Sequence, residues 1–404
     1  MNHTQLQNLA DKNEVRIDDH KGTKISPPYY YTSLRNAVQL YFKTFRTNNE
    51  AFDHYFSATA TSKKQNLGIL EMQFLDIENT FLCLVEFQRF FELFIKDLLK
   101  QTHPGFTYKI DNNFYTSQRQ SPVRNAWDII QKIHARSLKG YNPDQSRKGF
   151  HRVPFRETLK RFYQLVGYSV DPLKKNDRLV KRFIKITKPF TFFDDPGTRA
   201  TLEFLNTYRD RILHNGNKLP RARFLDFIVL ERVLPIVIQV LDFDMRIPQE
   251  WKYFTETVTG IKVLDEISRV NISVRNAKGR KQVFNAYHDL LYVAHLKELG
   301  RANFNMDNGM RQGRATHEYN YHDVLGRGRR IAEVEQTAHD RAVIMDCTCC
   351  GNASLVRYEI LSPPFRGGNP VIQWVKCYTC DYHLRFNVRD LHYFNPIYQK
   401  LFDY

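Results

Sequence analysis

Apolar residues along this chain recur mainly at three- and four-residue spacing, the period of a helix with one buried face. The longest run, FLCLVEFQRFFELFIKDLLKQTHPG (81–105), is apolar on most sides and predicts a central buried helix ending near Pro104-Gly105. SPVRNAWDIIQKIHARSLKG (121–140) predicts a second, opened by Ser121 as a cap before Pro122 and closed at Gly140. PFRETLKRFYQLVG (154–167) predicts a third. DPGTRATLEFLNTYRDRILHNG (195–216) starts at an Asp-Pro-Gly turn and stops at Asn215-Gly216. PRARFLDFIVLERVLPIVIQVLDF (220–243) follows after a short connection and packs antiparallel to it. Nearer the N-terminus, Leu34, Val38, Leu40 and Phe42 predict a helix from Ser33 to about residue 45, and the first 30 residues read as weakly ordered. Residues 66–245 thus read as a helical bundle.

Beyond residue 245 the pattern changes. TGIKVLDEISRVNISVRNAKGRKQVFNAY holds short β-like runs and YHDLLYVAHLKELG reads as a helix, giving a mixed region over 246–340. RANFNMDNGMRQGRATHEYNYHDVLGRGRR is rich in Gly, Asn and Arg and reads as a linker or mobile loop. Its Arg311, Arg314, Arg327, Arg329 and Arg330, with Tyr319 and Tyr321 among them, suit either a grip on single-stranded nucleic acid or plain solvation.

Charge narrows the choice of partner. The chain has 404 residues and a formal net charge of +17, a surplus that favours a polyanionic partner, most simply nucleic acid. Seven basic residues crowd LKKNDRLVKRFIKITK (173–188), where Lys181, Arg182 and Lys185 are candidate phosphate contacts; a solvated helix face is the competing reading. The polar N-terminus lacks a signal-peptide core, and no uncharged apolar run reaches membrane-spanning length. Five of the six cysteines fall in one cluster, which is metal spacing and not a secreted disulfide framework. These features lead to the expectation of a cytoplasmic protein with no membrane association.

Within that cluster, MDCTCCGN supplies Cys347-x2-Cys350 and VKCYTCDYH supplies Cys377-x2-Cys380, separated by 26 residues. Two such knuckles are what a tetrahedral Zn(II) ion needs, and four thiolates close its coordination shell, so the zinc is structural and not catalytic. Residues 341–404, with β-like flanks, resemble a zinc ribbon. Cys349 is a surplus thiol between the paired ones, and Cys83 reads as a core residue.

One anomaly carries the functional reading. In LEFLNTYRDRILHNGN (202–217), Leu202, Leu205, Tyr208, Ile212 and Leu213 share one helical face, and Arg209 falls among them. Arginine is rarely buried unpaired. Either a carboxylate such as Glu86 or Glu92 satisfies it, or that face is not simply a core face. Arg209-Asp210-x3-His214, near the end of the penultimate helix of a basic bundle, resembles the HEPN superfamily, whose ribonuclease members carry R-x4-6-H with a polar residue straight after the arginine. Asp210 fills that place, and Asn215 follows the histidine. The resemblance covers about residues 70–245.

Together with the residue pattern, it gives a mainly α protein: a HEPN-like bundle over 66–245, an N-terminal region over 1–65 that is partly disordered, a small α+β middle region and a β zinc-ribbon module. It also implies a homodimer with the motifs of two protomers lining one cleft, and metal-independent RNA cleavage to a 2′,3′-cyclic phosphate. His214 would transfer protons, Arg209 would hold the scissile phosphate, Asp210 would orient the imidazole, Asn215 would add a hydrogen bond, and Tyr208 would stack on a base or simply pack. Family members are often toxins or antiviral effectors cutting tRNA or other RNA, which adds a regulatory or antitoxin partner to the expectations. Two alternatives stay open: a non-catalytic nucleic-acid-binding or adaptor protein, and a deaminase or metal-dependent DNA enzyme, against which the closed four-cysteine site argues. His214 near a helix C-terminus is also explained by the helix dipole alone.

Overall fold

The computed structural model describes residues 28–44, 77–108, 125–135, 153–215, 222–270, 292–304, 318–361 and 370–385. The described chain is mainly helical, with a small antiparallel sheet near the C-terminus. Helix α2 (Ile77–Thr102) is the axis of the bundle, and Phe87, Phe90, Phe91, Phe94, Ile95, Leu98 and Leu99 are all buried along it. It ends where expected: His103 Nδ1 accepts the Gly105 amide at 3.1 Å, and Pro104–Thr107 turn the chain away. Helix α1 (Tyr29–Lys43) lies along α2 and starts four residues earlier than predicted. Tyr30 prolongs the apolar row of Leu34, Ala37, Val38 and Tyr41, and its ring meets Phe94 edge-on at 5.2 Å.

Helix α3 (Ala126–His134) opens five residues later than the predicted cap Ser121, which lies outside the described residues along with Gly140. Asn125 and Asp128 form a reciprocal capping box there, each accepting the other's amide. Helices α4 (Phe155–Val170) and α5 (Arg178–Thr187) follow, the latter capped by Asp177, which accepts the Leu179 amide at 2.8 Å. Helix α6 (Pro196–Asn215) is capped by Asp195, whose carboxylate accepts the Thr198 amide at 2.8 Å. Helix α7 runs continuously through Ala222–Phe227, Ile228–Val233 and Leu234–Phe243. Its middle segment is a π-helix, with the Leu234 amide bonded to the Val229 carbonyl. Pro235 explains it, because proline has no N–H to continue the ladder and its ring crowds the carbonyl four residues back.

The middle region departs from the β-like expectation. Among the described residues its one strand-like feature is the bridge Glu256↔Lys262, and the following segment is helix α8 (Val263–Ser268). Val263, Leu264 and Ile267 share one buried helical face, a spacing that a short apolar run cannot separate from a strand. Residues 271–291 lie outside the described set. Helix α9 (residues 292–304) packs so closely on α1 that a Cβ at Gly300 would clash with the Phe42 ring.

The predicted linker is also corrected. Glu318–Ala338 form helix α10, which carries Tyr319, Tyr321, Arg327, Arg329 and Arg330; Arg311 and Arg314 lie outside the described residues. Gly328 is a packing glycine and not a hinge: a Cβ there would clash with Thr379 and stand 3.2 Å from its backbone nitrogen.

The sheet has the order β1-β2-β3-β4, formed by Ala342–Asp346, Ala353–Leu361, Pro370–Cys377 and His383–Arg385. Tyr358 stacks on Trp374 across β2 and β3 with ring centroids 3.4 Å apart. One face rests under α10 through Ala332, Ala342, Val356 and Tyr358. The other, with Leu355, Val375, Cys377 and Leu384, joins the bundle core. A single apolar cluster therefore runs from Tyr30 to Leu384.

Candidate functional site

Two constellations carry chemistry. The first is on α6. Leu202, Leu205 and Ile212 are buried against the bundle, Tyr208 is half-buried, and Leu213 is 45% exposed. Arg209 sits at the margin of that face, and its side chain is 37% exposed. Its Nη1 donates to Asp210 Oδ1 at 3.0 Å, while its Nε atom is buried with no hydrogen-bond partner. Neither carboxylate weighed from sequence serves it. Glu86 pairs with Arg89 at 3.4 Å, and Glu92 pairs with Lys96.

His214 is exposed and lines a groove of about 1380 Å³ between α4 and α6, with Asp210 on the same wall. Arg209 is not part of that lining. Asp210, expected to orient the imidazole, accepts from the Arg209 guanidinium through Oδ1. Asn215 is the last residue of α6.

The groove also gathers Arg156 and Lys160 on α4, and Arg211 on α6. Arg156 and Lys160 are four apart, hence neighbours on one face, and both are exposed. In the sequence both fall within the basic string GFHRVPFRETLKRF (149–162), which could touch nucleic acid; its His151 lies outside the described residues. Lys181, Arg182 and Lys185 do not line the groove. They are exposed on α5, opposite its buried Leu179, Val180 and Phe183.

The second constellation is the cysteine cluster. The Cys347, Cys350, Cys377 and Cys380 sulfurs are buried and all lie within 4.8 Å of one another. Cys347 Sγ stands 3.7 Å from Cys380 Sγ, and Cys350 Sγ stands 3.6 Å from Cys377 Sγ. Sulfurs about 2.3 Å from one tetrahedral metal would be about 3.8 Å apart, so the cluster fits such an ion. Both knuckles fold alike. The Gly351 amide bonds the Cys347 carbonyl at 2.7 Å, and the Asp381 amide bonds the Cys377 carbonyl at 3.1 Å. The fifth residue of each turns to positive φ, 73° at Gly351 and 59° at Asp381. Glycine adopts that conformation freely, and aspartate is among the few others that tolerate it. Ser354 Oγ lies 3.3 Å from Cys377 Sγ; hydrogen bonds from Cys347, Cys350 and Cys380 hold the Cys377 thiol far below its ordinary range. The surplus Cys349 is not one of the four mutually close sulfurs; its own sulfur lies 3.8 Å from the Leu299 carbonyl of α9.

The knuckles also dock on the bundle. The Val258 amide bonds the Cys349 carbonyl at 3.1 Å, and Thr259 donates to the Thr348 carbonyl. Arg301 donates to the Asp381 carbonyl at 2.6 Å while pairing with the buried Glu298, which in turn accepts the His383 amide at 3.2 Å. Burial raises the Glu298 carboxyl's affinity for its proton, and Arg301 opposes that shift.

Among the described residues no helix is long and apolar enough to cross a membrane. Comparison of the chain with protein-family models, with curated proteins and with solved structures gives no match.

Proposed function

We propose that this chain is a HEPN-type, metal-independent endoribonuclease with a structural Zn(II) in its C-terminal ribbon. The observation that carries the reading is the placement of His214 and Asp210 on the exposed wall of a groove flanked by Arg156, Lys160 and Arg211. In the reaction the RNA 2′-oxygen attacks the adjacent phosphorus. The 2′-O–P bond forms, the P–O5′ bond breaks, and the products are a 2′,3′-cyclic phosphate and a 5′-hydroxyl. The 2′-hydroxyl loses a proton and the leaving oxygen gains one. His214 moves protons because imidazole titrates near neutral pH. Arg209, held by Asp210, offsets charge on the scissile phosphate once a second copy of α6 completes the cleft, and Asn215 adds a hydrogen bond there. The exposed Leu213 beside this motif suits such a two-fold contact. Lys181, Arg182 and Lys185 contact phosphates outside the cleft. By family analogy the substrate is tRNA or another cellular RNA, the setting is the cytoplasm, the role is that of a toxin or antiviral effector, and a regulatory or antitoxin partner restrains it.

The second reading is a nucleic-acid-binding or adaptor protein without catalysis. It is favoured by Arg209 pairing with its own chain neighbour outside the groove. A denaturing gel of total RNA and purified tRNA in EDTA, beside His214→Ala and Arg209→Ala, separates the two. Discrete cuts ending in cyclic phosphate, lost in both variants, establish the nuclease. Intact RNA with undiminished binding by both folded variants leaves the binding protein.

A further inference from the structure

The α4–α6 groove has an unusual charge balance. Each of its three carboxylates already has a partner: Glu157 accepts from Arg161 at 3.1 Å, Glu203 from Arg199 at 2.9 Å, and Asp210 from Arg209 at 3.0 Å. Arg156, Lys160 and Arg211 line the same groove, are exposed, and take part in none of those pairs. Beyond those pairs, the charge along the groove is that of three cations. The groove also has a polarity. Arg199, early in α6, packs over the Tyr163 ring at 4.7 Å, which sets the two helices antiparallel along the lining. The His214 end of α6 therefore meets the Pro154–Arg156 end of α4. That end of α4 has no side-chain cap, so its first amides add to the positive potential.

We propose that Arg156, Lys160 and Arg211 grip successive backbone phosphates of a single RNA strand laid along this groove, which brings it past His214; the passage to His214, though not the binding itself, rests on the ribonuclease reading. Arg156 and Lys160 are one helical turn apart, about 6 Å along the axis, which suits two neighbouring phosphates of an extended strand. A groove between two packed helices, whose axes stand about 8–10 Å apart, admits one strand and excludes a duplex. At about 1380 Å³ it is also larger than a small-molecule site, which typically holds about 300–1,000 Å³. Asn206 projects a side-chain amide from the same wall, placed to meet a base edge or a 2′-hydroxyl.

The test uses the full chain carrying His214→Ala, so that the RNA stays intact. Fluorescence anisotropy follows a labelled oligouridine of about a dozen nucleotides and a matched RNA duplex across a salt series. Adding Arg156→Ala, Lys160→Ala and Arg211→Ala together is expected to weaken single-strand binding on the order of 10- to 100-fold and to flatten the log–log salt slope by about two, at about 0.7 per phosphate contact. The comparison variant, Arg89→Ala, Arg232→Ala and Arg269→Ala, removes three exposed cations to which no RNA contact is assigned, and is expected to lose a few-fold at most. An unchanged groove variant, an equal loss in both triple variants, or duplex binding as tight as single-strand binding would each overturn the assignment. Melting temperature checks the fold; all three groove side chains are exposed, so none is needed for the core. The two readings fail separately. A wild type that cuts no RNA, with binding still lost in the groove variant, ends the nuclease and keeps the site. Cutting by wild type, with binding unaffected in the groove variant, ends the site and keeps the nuclease.

Discussion

Arg209 and Asp210, neighbours in the chain, form an ion pair at 3.0 Å on a helix whose His214 faces the groove one turn further on. The carboxylate is thereby committed to the guanidinium. Asp210→Asn should lower RNA cleavage by about 10- to 100-fold through loss of Arg209 positioning, and leave the pH optimum where it is. A displaced pH–rate profile would mean that Asp210 acts on the imidazole after all.

The buried pair Lys297–Asp226, at 2.5 Å, bolts α9 to α7. Tyr41 donates to the same carboxylate at 2.8 Å, and Lys297 also reaches Thr44 Oγ1 at 3.1 Å. Removing one partner leaves an uncompensated charge in a dry site. Lys297→Met should cost about 3–5 kcal/mol in denaturant unfolding, and the double variant Lys297→Met/Asp226→Leu should regain much of that loss. A single-variant cost below about 1 kcal/mol would show that water reaches this pair.

Metal analysis provides the third check. The wild-type chain should carry about one zinc, and Cys347→Ser or Cys380→Ser should lose it together with several degrees of melting temperature. Cys349→Ser should keep the metal, since that sulfur is outside the set of four that lie within 4.8 Å of one another. Loss of zinc from Cys349→Ser would reassign the ligand set.

How stability responds to acid is set in part by His295, which is buried on α9. Burial pushes its pKa down from 6.5 to about 3. The folded state holds the imidazole neutral while the unfolded chain takes up a proton, so stability present above pH 6.5 is lost progressively as pH falls towards 3. Melting curves between about pH 4 and 7 should slope accordingly, and His295→Leu should flatten them. An identical slope in that variant would place the acid sensitivity elsewhere.

What could be read from the residues, and what could not, follows the range of the interactions. Helix α2 and the two cysteine knuckles were legible because helical period and ligand spacing are local. Helix α10 was not. Gly328 looks like a flexible residue in sequence, yet it is small because Thr379, about fifty positions later, occupies the space beside it. Helix α8 was lost to an apolar run too short to reveal its period. Arg156 and Lys160 stand out in the sequence only as part of a basic string with the pattern of any solvated helix face; only the approach of α6 makes them a site. The partner of Arg209 was sought on α2, one helix away, when it was the next residue along.

Helix α9 has a double attachment. Lys297 holds Asp226 in the bundle, and the adjoining Glu298 holds the backbone of His383 in the ribbon. Stripping a metal ion from the four cysteines would therefore not merely lose a peripheral ornament. The slackened sheet would release one side of this shared strut, and the bundle would register the loss as a lower melting point.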